Sequence, residues 1–140
     1  MLEHIRTRRS IRKYLSEPVS DEHRRALEEA ALRAPTSHNH RPWEFVFVTD
    51  PETLAALGRL KPTGSAFLAD APLAAVILAD PARSDVWIED ASIAAAFIHL
   101  TAHSLSLGSC WVQVRGRDHA EGVPASDHVR DVTDLDADVV

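Results

Sequence analysis

The sequence predicts an α+β fold, a β-sheet flanked by helices around one long buried central helix. Two observations lead there. Short apolar runs that read as strands stand singly between helical patterns, which argues for a sheet covered by helices. The stretch from Trp87 to Leu107 is apolar almost all round, and a helix with no wet face must be covered on every side. The 140 residues suffice for one compact domain and are too few for two of ordinary size. No repeat, low-complexity run or linker interrupts them, so residues 1–140 are expected to form a single domain.

The elements follow in order. Met1 to Arg8 is expected to form a short helix with Leu2 and Ile5 turned inward. Ser20 is an N-cap, with Asp21 and Glu22 in the first turn where acids favour the helix dipole. Ala26, Leu27, Ala30, Ala31 and Ala34 then recur at helical spacing until Pro35 stops the helix. Pro35 to Pro42 is a polar loop, and Trp43 to Thr49 reads as a strand buried on both faces. Asp50 caps a further helix with Pro51 at its favoured first position, ending near Leu60 before a turn at 61–65. Leu73 to Ala79 reads as a second strand. The central helix closes at Gly108, and Ser109 to Val114 reads as a third strand. Asp118 to Glu121 reads as a solvated loop, Ser126 as the start of a short helix, and Asp138 to Val140 as the opening of a fourth strand. The wrapping of the central helix stays open between a subunit interface and the chain's own domain. The interface is the more economical for so small a chain.

Composition narrows the class. Hydrophobic residues make up 45% and charged residues 26%, a globular balance, and the net charge of −6 opposes polyanion binding by the whole surface. The N-terminus breaks that pattern. Arg6, Arg8, Arg9, Arg12 and Lys13 crowd five cations into eight positions with no acid among them, which suggests a local anion site. The single cysteine, Cys110, excludes an intramolecular disulfide framework and a thiolate metal cage, and fits a reducing cytosol; a cytoplasmic location is expected. Glu3, His4 and Arg6 interrupt any signal-peptide core. Ala91 to Val114 carries no Asp, Glu, Lys or Arg, but Gly108 breaks it too early for a bilayer span, so no membrane partner is expected.

Two segments carry candidate chemistry. In Arg8-Arg9-Ser10-Ile11-Arg12, arginine forks and a serine hydroxyl match phosphate oxygens. In an extended stretch Arg8, Ser10 and Arg12 share one face, with Ile11 toward the core. Taken alone, the run reads better as a solvated basic segment. The loop Pro35-Thr36-Ser37-His38-Asn39-His40-Arg41-Pro42-Trp43 offers Ser37, Asn39 and Arg41 to the polar edge of a flat heterocycle, with Trp43 anchoring its exit. Alone, it is also a plain helix-to-strand connection.

Together, in this order, the segments resemble the nitroreductase family. There an N-terminal RRS-x-R element holds the phosphate of FMN, and a P-S-x-x-N-x-Q-P-W type loop about two dozen residues on borders the flavin ring. This chain reads RRSIRKY at 8–14, PTSHNHRPW at 35–43 and EDASIAAAFIHLTAHSLSLGSCW at 89–111, the last similar to the family's central helix and the strand it runs into. The resemblance covers essentially the whole chain and implies a nitroreductase-like mixed β-sheet. It implies phosphate and ribityl contacts from Arg8, Arg9, Ser10 and Arg12, and ring-edge contacts from Pro35, Ser37, Asn39 and Arg41. Arg41 stands where many relatives have Gln. Residues 64–67 offer no counterpart to a ring-contacting lysine of some relatives, and backbone near Val114 to Gly116 is a further possible contact. The family's implied chemistry is ping-pong hydride transfer: NAD(P)H reduces FMN, which then reduces a nitroaromatic, quinone or similar small acceptor. The implied assembly is a homodimer whose sites use both subunits. No protein acid or base is obligatory, because the flavin carries the electrons, so no catalytic residue is expected.

The sequence also departs from the family. Relatives continue a few dozen residues past this point, through a final strand and tail, and Thr133-Asp134 stands where they often carry an apolar residue and glycine. A C-terminally truncated chain is therefore expected. A degenerate or truncated flavin-binding protein without turnover is the alternative. A nucleic-acid module built on the N-terminal arginines lacks interleaved aromatics and is opposed by the net charge. His99 and His103 sit four apart, a metal-ligand spacing, but lack an intervening HExxH glutamate and read as hydrogen-bonded core residues; no metal is expected. His38 and His40 lack an evident third ligand. Cys110 follows a helix C-terminus, where nothing lowers its pKa, and reads as a small core residue.

Overall fold

The computed structural model describes residues 1–134. In chain order the elements are α1 (Leu2–Thr7), α2 (Asp21–Leu32), β1 (Trp43–Val48), α3 (Pro51–Gly58), β2 (Ala74–Ala79), α4 (Trp87–Ser104), β3 (Asp118–Ala120), β4 (Val123–Pro124) and α5 (Ala125–Thr133). Short 3-10 turns lie at Ser37–Asn39 and Ala66–Asp70. The expected α+β class is what the chain adopts. Local capping chemistry starts the helices where the sequence places it. The Ser20 side chain accepts from the His23 N–H, and Asp50 accepts from Thr53 N–H and Oγ1–H, with Pro51 at the first position.

β1 and β2 pair in a two-stranded sheet. The Asp80 N–H donates to Pro42 O at 2.9 Å, so the start of one strand meets the end of the other, an antiparallel arrangement. The residues group into two compact units. The first comprises Met1–Arg12, Val19–Phe45 and Ile77–Trp111; the second comprises Lys13–Pro18, Val46–Val76 and the chain from Val112 onward.

In the first unit α2 packs on α4. Leu27 and Ala31 of α2, and Ala94 and Ala102 of α4, are fully enclosed, and alanines at such positions let helix axes approach closely. Trp43 and Phe45 pack beside Ala34 and Ala94, with the two rings 5.0 Å apart. α4 is buried along this stripe only. Ile93 and Phe97 on its other side are 37% and 39% exposed in the single chain. The second unit closes around Val48, Leu54, Leu57, Leu60, Ala125 and Val129. The rings of His119 and His128 stack at 4.0 Å, bonded to Leu60 O and Ala56 O.

Several expectations are corrected. Leu2 and Ile5 are exposed rather than turned inward, because the six residues of α1 make one apolar edge that nothing among the described residues covers. Ser109 to Val114 is not a strand: only Ser109 makes a bridge, parallel to Ser10. Farther along, Lys61 Nζ donates to Gln113 O, a side-chain bond in place of a ladder bond. The segment 118–121 is not a loop, since Asp118 and Ala120 pair with Pro124 and Val123 in an antiparallel hairpin. Gly122, at φ 74°, supplies the left-handed third position that such a tight turn requires. α2 ends at Leu32, short of Pro35, and α4 at Ser104 rather than Leu107. The strand expected at 138–140 lies outside the described residues. No helix among the described residues is long and apolar enough to cross a membrane.

Gly108 is the most closely approached of the glycines. A Cβ built there meets Ile11 Cγ2 at 2.8 Å and Ile11 Cβ at 3.0 Å. Ile11 is β-branched and stiff, so it cannot swing aside cheaply. Gly108→Ala is therefore expected to destabilise the protein by about 1–3 kcal/mol through overpacking. Adding Ile11→Ala should recover most of that loss in urea unfolding; an unchanged midpoint in the single variant would contradict the close approach.

Candidate functional site

The two sequence-predicted segments both fall in the first unit. Arg8 to Ile11 leaves α1 in extended backbone, with Arg8 at φ −55°, ψ 135°. Ser10 bridges Ser109, and the Ile11 N–H donates to Ser109 O at 3.0 Å. Ile11 is 41% exposed, so it does not enter the core as expected; it lies instead across the backbone at Gly108. Arg9 Nη1 donates to the carbonyls of Arg6 and Arg8, folding its guanidinium onto the local backbone. Arg8 is the half-buried member. Its Nη1 lies 2.7 Å from His99 Nε2, and His99 Nδ1 lies 2.5 Å from Ser109 Oγ. Ser10 and Arg12 remain exposed. This packing leaves Arg8 with four of the guanidinium's five N–H donors beyond the one directed at His99.

The loop is held by a residue the sequence reading missed. Asp90, in the first turn of α4, is 2% exposed. Its Oδ1 accepts from the Ser37 N–H at 3.0 Å, and its Oδ2 from Ser84 Oγ–H at 3.2 Å. A buried carboxylate persists only when its lone pairs are taken, and here two donors take them. The signal available in the sequence was an acid beginning a stretch that carries no further charge as far as Val114.

From that anchor the chain turns sharply. His38, Asn39 and Arg41 take φ of 46°, 58° and 47°, left-handed values that asparagine tolerates and arginine adopts only at a cost. Three bonds hold the turn: Asn39 N–H to Thr36 O, His40 N–H to Ser37 O, and Arg41 N–H to Thr36 Oγ1. Arg41 Nε donates to Asn39 Oδ1 at 2.9 Å. Arginine cannot accept, so the amide oxygen faces it and the two Nδ2 hydrogens point elsewhere as donors. Pro35, Asn39 and Arg41 line an open cleft of about 510 Å³ together with Leu32, Arg33, Ala34 and Thr36. Ser37 and the arginine segment do not line it. Trp43 is buried at the loop's exit, as expected; its Nε1–H has no partner among the described residues.

His99 and His103 are hydrogen-bonded, as expected, but half-buried rather than core residues. His103 Nε2 meets Thr7 Oγ1 at 2.8 Å, and its ring meets His4 edge-on. Cys110 is half-buried. The His99 pKa is lowered, first by burial, then by the positive Arg8, then by His103.

Comparison with known proteins places these features in a family. The sequence model described as the Nitroreductase family matches residues 5–61. A protein of Methanothermobacter thermautotrophicus, named as an NADH dehydrogenase/NAD(P)H nitroreductase, is 39% identical over 127 residues, 88% of this chain and 66% of the relative. The chain thus spans about two thirds of that relative's length. An FMN-dependent nitroreductase structure from Clostridium difficile R20291 superposes with a TM-score of 0.97 at 45% identity, covering 99% of this chain and 81% of the other. A chain from Desulfovibrio desulfuricans, described as a nitroreductase in complex with FMN, gives 0.80 at 27% identity, covering 99% and 78%.

Two outcomes are expected from this geometry. Asp90→Ala strips the acceptor from the Ser37 N–H and the Ser84 hydroxyl, and should cost about 1–3 kcal/mol in urea unfolding. It should also open the 36–41 loop to limited proteolysis, a change absent if Asp90 merely fills space. The second concerns pH. The unfolded chain takes up a proton near the ordinary histidine value of 6.5, which His99 in the folded chain resists. Stability from the neutral ring is therefore complete above about pH 6.5 and drains as pH falls below it. The wild-type melting temperature should fall more steeply on acidification than that of His99→Gln; parallel slopes would contradict this.

Proposed function

The chain belongs to the nitroreductase family, and from that premise we propose that it is a single FMN-binding domain acting as an NAD(P)H-dependent oxidoreductase. In this reading Arg8, Arg9, Ser10 and Arg12 receive the phosphate and ribityl hydroxyls. Pro35, Ser37, Asn39 and Arg41 border the ring. When bound there, FMN supplies two-electron chemistry, taking hydride from NAD(P)H and delivering it to a nitroaromatic, quinone or similar acceptor in ping-pong order.

The residues present suit that group. A phosphomonoester needs several convergent donors, and the Arg8 guanidinium meets that need with most of its N–H groups uncommitted to His99. The ring's pyrimidine edge offers acceptors, and the Asn39 amide, with its oxygen taken by Arg41, has N–H donors to present. Positive charge or a donor at that edge favours the reduced, anionic ring. The fixed Asn39 amide is the observation that carries the reading, because such a strained loop turns one donor in one direction before any ligand arrives. No side chain is assigned a proton-transfer role.

A homodimer belongs to the same proposal. Leu2 and Ile5 on α1, and Ile93 and Phe97 on α4, leave apolar side chains exposed within one unit. Apolar exposure of this kind is what a subunit interface covers. The arginine segment and the cleft-lining loop residues then contribute to a shared site from different copies.

The test is the visible absorption of the purified protein, before and after anaerobic addition of NADPH or NADH. Flavin bands that bleach are expected, and Asn39→Ala should weaken FMN binding by about tenfold, the usual scale for one lost directed hydrogen bond. A yellow protein that never bleaches would leave a flavin-binding protein without turnover. A colourless protein that ignores added FMN would overturn the proposal.

A further inference from the structure

We infer that His99 is a positioning residue for phosphate recognition: through neutral-ring hydrogen bonds it holds the Arg8 guanidinium and Ser109, and so presents Arg8 and Ser10 together to a phosphomonoester. The inference rests on the FMN reading above and assigns a residue that touches neither phosphate nor ring.

The proton positions follow from the partners. Arg8 can only donate, so the His99 Nε2 that it meets at 2.7 Å must be an acceptor and carry no hydrogen. A neutral imidazole then bears its one hydrogen on Nδ1, which donates to Ser109 Oγ at 2.5 Å. Ser109 in turn bridges Ser10 and accepts the Ile11 N–H through its carbonyl. These contacts close a ring from His99 through Arg8, along the backbone to Ile11, across to Ser109 and back to His99. Within that ring a shift of Arg8 breaks its bond to His99, and a shift of Ser10 breaks its bridge to Ser109, which His99 also holds.

A free arginine side chain surrenders considerable rotamer freedom on binding an anion. Holding Arg8 beforehand removes that cost and aims its remaining donors. Protonation of His99 would set two donors face to face and a second cation beside the guanidinium. Among the described residues, the charged or titratable groups acting on it are Arg8, which follows α1, and His103 on α4, the latter contacted by His4 and Thr7. None of these is an acid, so none offsets the added charge.

Dissociation constants for FMN and for riboflavin, which lacks the phosphate, test this by quenching of flavin fluorescence on the full chain. Wild type should prefer FMN. His99→Leu should lose about tenfold in FMN affinity with riboflavin binding unchanged, the scale of a hydrogen bond to a charged group. His99→Gln, whose amide oxygen accepts and whose amide nitrogen donates, should restore wild-type preference. Acidification from about pH 7.5 should erode the preference more steeply in wild type than in His99→Gln, the loss common to both being protonation of the phosphate itself at about pH 6. A His99→Leu variant that keeps the FMN preference, or that loses both ligands equally, overturns the role of His99 alone. A wild type that binds the two ligands alike, or binds neither, overturns the phosphate assignment of Arg8 and the inference with it.

Discussion

The close passage of Ile11 over Gly108 is the constraint on which the candidate site depends. Only a backbone without a Cβ lets the N-terminal segment come near enough for the Ile11 N–H to reach the Ser109 carbonyl. That bond and its neighbouring bridge bring Ser109 into range of His99, and His99 into range of Arg8. Within this basic segment it is the Arg8 guanidinium that is held. The order of cause runs from a missing methyl group to a backbone bond to an oriented guanidinium.

The loop at 36–41 is built on the opposite principle. Its backbone is strained at three residues, and the strain is held by one buried carboxylate at the start of α4. α4 thereby organises both segments: Asp90 near its first residue fixes the loop, and His99, about two and a half turns later, fixes the arginine. The helix serves as a ruler between two polar clusters. This is a stronger reason for its length than the covering of a sheet.

What the sequence disclosed was local. Ser20 and Asp50 with Pro51 each act on neighbours within four residues, and each does what its type implies. Gly108, expected to close α4 in the left-handed conformation, instead meets the distant Ile11, and Ser106 takes the left-handed φ of 62°. Strands are not local in this sense. The apolar run after Gly108 has strand composition, yet a strand exists only where a second one lies alongside, and past Ser109 none does among the described residues. The hairpin at 118–124 failed in the other direction: Asp118, His119 and Glu121 have no strand pattern, and the turn at Gly122 sets the pairing. The candidate segments themselves were legible because their residue types crowd together. Their supports, Asp90 and His99, were not, because each lies dozens of residues from what it holds and looks ordinary in its own surroundings.

That separation has a consequence for how the protein comes into being. Arg8 and His99 are 91 residues apart. On the ribosome the arginine segment is made before its partners and waits, charged and unanchored, while the residues between them are synthesised. Its partners emerge together and late, on α4 and just beyond. Contacts of such long sequence separation close slowly, since the loop between them must be ordered first. The arginine segment is thus written before the residues that hold it, and Arg8 acquires its packed geometry only once translation has passed Ser109.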